Sequence, residues 1–204
     1  MRNWVRSLGL FIIIMAGACR AHAQKETLTS RFYFPGLIGV NFIDENASIR
    51  YSKAFSISSG MEYRPDSAHV FYRFNYDGTT IKYVSAVTYL PTSVTKGKQH
   101  TTNLLIGAGY RKKFNGLGAY VLVQGGLASQ SFDHVNGVMP AYTITQQSIN
   151  SFGLKFTGGF EYYVASHFAL IAEPSIYHNT ARYRDSPINN TQVTFSLGFT
   201  TTLF

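Results

Sequence analysis

From Phe152 to Val164 the chain alternates with a period of two. Phe152, Leu154, Phe156, Gly158, Phe160, Tyr162 and Val164 share one parity; Gly153, Lys155, Thr157, Gly159, Glu161 and Tyr163 share the other. Side chains of a strand point alternately to opposite faces, so this segment must present one broad apolar face and one small, charged face. The same separation recurs from 49 to 64, where Ile49, Tyr51, Phe55, Ile57, Met61 and Tyr63 oppose Arg50, Ser52, Ala54, Ser56, Ser58, Gly60, Glu62 and Arg64, with only Lys53 out of phase. Near the start, Phe32, Phe34, Ile38, Val40 and Phe42 oppose Tyr33, Leu37, Gly39 and Asn41; near the end, Val193, Phe195, Leu197 and Phe199 oppose Gln192, Thr194, Ser196 and Gly198. A soluble sheet also alternates, but its polar face meets water and need not be narrow. Here that face is glycine-rich and charged at mid-strand, as the interior of a small closed barrel requires.

Eight strands are predicted, over 31–43, 49–64, 69–77, 100–114, 118–131, 149–164, 168–180 and 191–204. Their connections alternate in length. Pro65-Asp66-Ser67, Asn115-Gly116-Leu117 and Ala165-Ser166-His167 read as short turns, and Asn115-Gly116 is a strong hairpin signal. The connections 44–48, 78–99, 132–148 and 181–190 read as mostly longer, polar loops, with 79–90 as a hairpin extension of the third strand. An even strand count with short turns at one end and long loops at the other is the organisation of an outer-membrane barrel. The 16 Phe, 14 Tyr and 18 Gly residues, against one Trp, fit strands and tight turns better than helices.

The first residues follow a different logic. Arg2 and Arg6 precede an uncharged run from Leu8 to Cys19, and Ala21-His22-Ala23 supplies small side chains two apart, which together predict a secretory signal peptide over 1–23. The run is too short to span a bilayer as a helix. A competing reading makes Cys19 a lipidated first residue, but Ala16 stands where a lipobox usually carries leucine. Cleavage after Ala23 leaves a single barrel domain, 24–204, with 15 basic and 10 acidic residues and no cysteine.

On these features the chain resembles the small eight-stranded outer-membrane barrels of Gram-negative bacteria, the OmpA and OmpX type, over 31–204. The resemblance implies an all-β, eight-stranded antiparallel up-and-down transmembrane β-barrel in the outer membrane. It also implies contact with outer-membrane lipid and lipopolysaccharide, and recognition of the terminal aromatic, Phe204, by barrel-assembly machinery. Phe204 is out of parity with Val193 to Phe199, which predicts either a bulge within Thr200-Thr201-Thr202 or a loosely read signal. Pro174, lacking an amide donor at mid-strand, predicts a local bulge as well.

Parity then assigns the faces. Phe34, Ile38, Val40, Phe55, Ile57, Phe152, Phe156, Phe160, Phe195, Leu197 and Phe199 are expected to face lipid. Arg50, Glu62, Arg64, Arg73, Arg111, Lys113, Lys155, Glu161 and Glu173 are expected to fill the lumen, where charges are tolerable only when paired. Gly60 and Gly159 are expected to leave room for Arg73 and Glu173. Lys82, Lys96, Lys98, Arg182 and Arg184 fall in or beside the long loops, a basic patch suited to phosphates or another anionic ligand.

The chemistry of known enzymes is thin. His178-Asn179-Thr180 offers only a Thr hydroxyl, with no acid nearby before Asp185, and a hydroxyl nucleophile needs a base within reach. There is no metal-ligand spacing and no nucleotide fingerprint, so no metal or cofactor is expected. An exported chain also gives little reason to expect nucleic acid. The sequence therefore points to a non-enzymatic envelope protein with a filled, charge-paired lumen and surface loops. The alternatives are a small channel, a barrel enzyme acting on lipid, and a soluble lipocalin-like binder.

Overall fold

The computed structural model describes residues 31–43, 49–65, 69–85, 96–138, 141–165, 167–181 and 190–202. Eight strands follow one another: β1 (Phe32–Phe42), β2 (Ile49–Tyr63), β3 (Val70–Ser85), β4 (Lys96–Phe114), β5 (Leu117–Val138), β6 (Ala141–Ala165), β7 (Phe168–Asn179) and β8 (Thr191–Thr202). Each pairs antiparallel with the next, and β1 pairs with β8 to close the barrel. Closure satisfies the edge strands that an open sheet would expose. Among the described residues no helix is long and apolar enough to cross a membrane.

Alternation sorts the side chains in the sense opposite to that of a water-soluble barrel. Ile106 (67% exposed), Leu127 (69%), Phe156 (56%) and Phe160 (63%) project from the outer wall, whereas Glu62, Arg73, Asn75, Gln124, Gln130 and Glu161 are buried inside. Burial of apolar surface from water cannot drive a fold that points so many large apolar side chains outward, unless that exterior meets hydrocarbon. A lipocalin-like binder in water would need the reverse arrangement, so the soluble alternative is set aside.

Local rules place several features. Asn115 and Gly116 adopt φ of 39° and 88°, the positive pair that a type I′ hairpin turn demands. The β2–β3 register slips between Tyr51 and Lys53, so Ile49–Tyr51 change phase while Lys53, opposite Lys82, keeps the phase of Phe55; a second slip separates Tyr163 from Ala165 on β6.

Other expectations are corrected. Pro174 causes no bulge: the β6–β7 register is the same on both sides, Thr157 opposite Ser175 and Phe160 opposite Ala172, and Pro174 stays opposite Phe195 of β8. No bulge lies within Thr200–Thr202 either, since β8 holds one register with β1 from Val193 to Thr202. The supposed loop 132–148 is mostly strand, because the β5–β6 ladder continues without a slip to Val138 opposite Ala141. Likewise β3 runs on to Ser85 and β4 begins at Lys96, so much of 78–99 is paired strand.

Candidate functional site: a charge-paired lumen

Two clusters of charge cross the lumen. The lower lies toward the end with the short turns. Arg64, just beyond β2, ion-pairs with Glu62 and reaches Glu161 Oε1 at 2.5 Å. Its guanidinium sits 3.7 Å from the centroid of the Tyr33 ring. Arg111 of β4 approaches Glu161 Oε2 at 3.0 Å, and Tyr163 donates to the same carboxylate at 2.5 Å. Arg73 of β3 donates through Nε to Glu62 Oε2 at 2.7 Å and meets Glu173 Oε1 of β7 at 2.5 Å, while Tyr120 of β5 donates its hydroxyl to Glu173 as well. Arg73 Nη2 lies equally near Glu62 Oε2 without hydrogen-bond alignment, so that second contact is electrostatic only.

In a ring of eight, β3 and β7 stand diametrically opposite, as do β2 and β6. The Arg73–Glu173 and Arg64–Glu161 bonds therefore span the bore rather than line it. Three arginines face three glutamates in this cluster, so its formal charge is balanced. Pairing of that kind is what makes buried charge tolerable.

The upper cluster centres on Asp77 of β3. Lys155 of β6 donates to its Oδ2 at 2.6 Å, and Ser58 of β2 to its Oδ1 at 2.5 Å. Asn75 links the clusters, donating to Ser58 at 2.9 Å and accepting from Gln124, which also reaches the Arg73 carbonyl. A cavity of about 20 Å³ beside Asp77 and Lys155 is on the order of a single water. Elsewhere in the lumen pairing is less complete: Gln99 Oε1, both amide atoms of Gln130, and Asn179 Nδ2 are buried without a hydrogen-bond partner among the described residues.

Lumen glycines make this packing possible. A Cβ on Gly159 would lie 2.0 Å from the Tyr120 ring, one on Gly109 2.4 Å from Phe71, and one on Gly153 2.4 Å from the Tyr177 hydroxyl. Aromatic rings from neighbouring strands thus lie flat across glycine backbone, and the Tyr120 ring in this position carries its hydroxyl to Glu173.

The residues expected in the lumen divide as follows. Glu62, Arg64, Arg73, Lys155, Glu161 and Glu173 are buried and paired, and Arg111 joins them half-buried. Lys113 keeps the parity of Arg111 but is exposed at the turn-side mouth, its ammonium 4.3 Å from the centroid of the Tyr163 ring. Arg50 lies in β2 opposite Val84, but its side chain falls outside those described. Gly60 is opposite Asn75 rather than Arg73, whereas the β6–β7 register sets Gly159 level with Glu173 as expected, with Tyr120 opposite it on the other side. Sequence reasoning missed Asp77, Tyr120 and Tyr163, all of which share parity with lumen residues.

On the outer wall Ile38, Val40, Phe55, Ile57, Phe152, Phe156, Phe160, Phe195, Leu197 and Phe199 are exposed, and Phe34 is half-buried. Lys82, Lys96 and Lys98 are exposed but lie in paired strand rather than in loops, with Lys82 directly opposite Lys98. Arg182, Arg184, Phe204, Cys19 and the whole segment 1–23 lie outside the described residues. His178 Nδ1 meets Thr191 Oγ1 at 2.9 Å, whereas Thr180 donates to the Phe152 carbonyl, so the two residues considered for acyl chemistry do not meet.

Comparison with known proteins supplies the context. The family described as "Outer membrane protein beta-barrel domain" matches residues 11–200. Among solved structures, Neisserial surface protein A is similar with a TM-score of 0.55 at 19% identity, covering 84% of this chain and 97% of its own. A major outer membrane protein from Thermus thermophilus also gives 0.55, at 12% identity, covering 84% of this chain and 99% of its own. At such identities the likeness shows the fold alone. No curated protein matches the sequence.

Proposed function

The chain belongs to the outer membrane protein β-barrel domain family, and from that premise we propose that it is a sealed, non-enzymatic barrel whose working surface is the strand-built rim beyond the membrane. One observation carries this reading: the Arg73–Glu173 and Arg64–Glu161 bonds join opposite walls of the bore. An ion crossing the bore meets a charge-balanced cluster and must break charge-assisted bonds to pass. An eight-stranded barrel of this kind has an interior that side chains fill.

The strands themselves support the second half. A membrane-spanning strand needs about 9–11 residues, yet β5 has 22 and β6 has 25. β6 outruns its β7 ladder, which ends at Gly153 opposite Asn179, by the stretch back to Ala141. A rigid ribbon beyond the bilayer is a costly way to build a pore and a natural way to present a surface. The separation of His178 from Thr180 gives no support to an acyl-transfer site.

Conductance in planar bilayers tests the sealed bore. The expected outcome is absence of steady single-channel current. Steady, ion-selective currents whose selectivity changes in Glu173→Ala would promote the channel reading instead.

A further inference from the structure

The outer wall is not uniformly bulky. Near the short-turn end, Ala119 of β5 and Gly158 of β6 leave a notch of about 320 Å³ in the barrel's exterior, rimmed by Tyr110, Val121 and Phe160. The ladder explains its shape. One row across β4, β5 and β6 reads Tyr110, Val121, Gly158; the next row toward the turns reads Lys112, Ala119, Phe160. A Cβ placed on Gly158 would meet only Pro174 Cγ, at 3.9 Å, so the notch opens outward.

Its polarity is directional. Lys112 is exposed on the same outer face, directly opposite Ala119, at the turn-side end of the notch. Among the described residues it forms no ion pair; its ammonium lies 5.3 Å from the Phe114 ring centroid, over a ring at the very end of β4. From Lys112 toward mid-barrel the lining is predominantly apolar. A cation at the membrane boundary followed by an apolar trough running inward has the order of a phospholipid: phosphate first, acyl chain after.

We propose that this notch seats one phospholipid of the leaflet at the short-turn end, with its phosphate on Lys112 and an acyl chain along Ala119, Val121 and Gly158. Aromatic side chains at this height anchor barrels generally. Seating is specific here because two small residues remove the wall exactly where Lys112 supplies charge complementarity, on three adjacent strands. A second copy of the chain would also fill an apolar notch, but would bury the Lys112 ammonium without an anion.

Native mass spectrometry of the folded, detergent-purified barrel tests this, with phosphatidylglycerol and diacylglycerol as the added probes. The parent should retain one phosphatidylglycerol and little diacylglycerol. Gly158→Leu fills the notch with an apolar side chain on the lipid-facing wall and should abolish retention, while gel mobility of unheated samples reports that the barrel still folds. Lys112→Gln should erase the preference for phosphatidylglycerol, and Lys112→Arg should restore it. Equal retention in parent and Gly158→Leu would overturn the proposal, as would equal retention of the two probes by the parent. A dimer that Gly158→Leu dissociates would assign the notch to a second copy instead.

Discussion

Arg73 shows how far a single interior side chain is committed. It is fully buried, bonded to Glu62 on the neighbouring strand and to Glu173 across the bore. Glu173→Ala would leave that guanidinium with Glu62 alone, unbalance the cluster by one positive charge and take the acceptor from Tyr120. Removing one partner of a buried pair typically costs about 3–5 kcal/mol, and that loss is expected in urea unfolding of the barrel in lipid vesicles. Glu173→Gln, which keeps an acceptor oxygen, should lose less; identical stability for parent and Ala variant would mean the cluster is not a structural element. Glu62, Arg73, Lys155, Glu161 and Glu173 were legible because parity alone assigns a face. Asp77 was not, since the Gly78-Thr79-Thr80 that follows it reads as the start of a loop. Tyr120 was not, because an aromatic ring reads as lipid-facing until the register places it over Gly159.

Elements were legible where the apolar face is strong and illegible where strands leave the membrane. β5 and β6 keep their ladder past Phe132 opposite Gln147, yet Asp133, His134, Asn136, Gly137 and Pro140 punctuate the sequence as a loop would. Beyond the bilayer no hydrocarbon selects one apolar face, so the alternation fades while hairpin pairing persists. Replacing residues 134–145 by Asn-Gly should therefore leave the barrel intact, because Asp133 keeps its contacts with Tyr83 and Lys98 and stays opposite Gln146. The measurement is the urea midpoint together with the mobility shift between unheated and boiled samples. A collapsed shift would show that the ribbon belongs to the folding unit rather than to its surface. Pro174 teaches the converse lesson: a missing donor was read as a bulge, whereas the ladder passes it with the register unchanged.

For the molecule as a whole, the deciding property is which side of the wall is apolar. Phe156 stands at the centre of this question: it is 56% exposed, flanked by Val123 on β5 and Ile176 on β7, with Thr157 next in sequence turned into the lumen. In a bilayer, an arginine on the lipid face near the midplane costs about 2–4 kcal/mol. Phe156→Arg should destabilise the barrel in vesicles by that amount, and Phe156→Leu should be mild, since leucine is equally at home in hydrocarbon. In water the expectation reverses, because a cation on a solvated wall costs little and removes an exposed ring. Phe156→Arg matching the parent in vesicles, with Thr157→Arg severe, would place Phe156 away from lipid and invert the assignment of both faces. The alternation from Phe152 to Val164 says only that the two faces differ; the polar, cross-braced lumen behind Phe156 is the reason the outer face is the one expected to meet lipid.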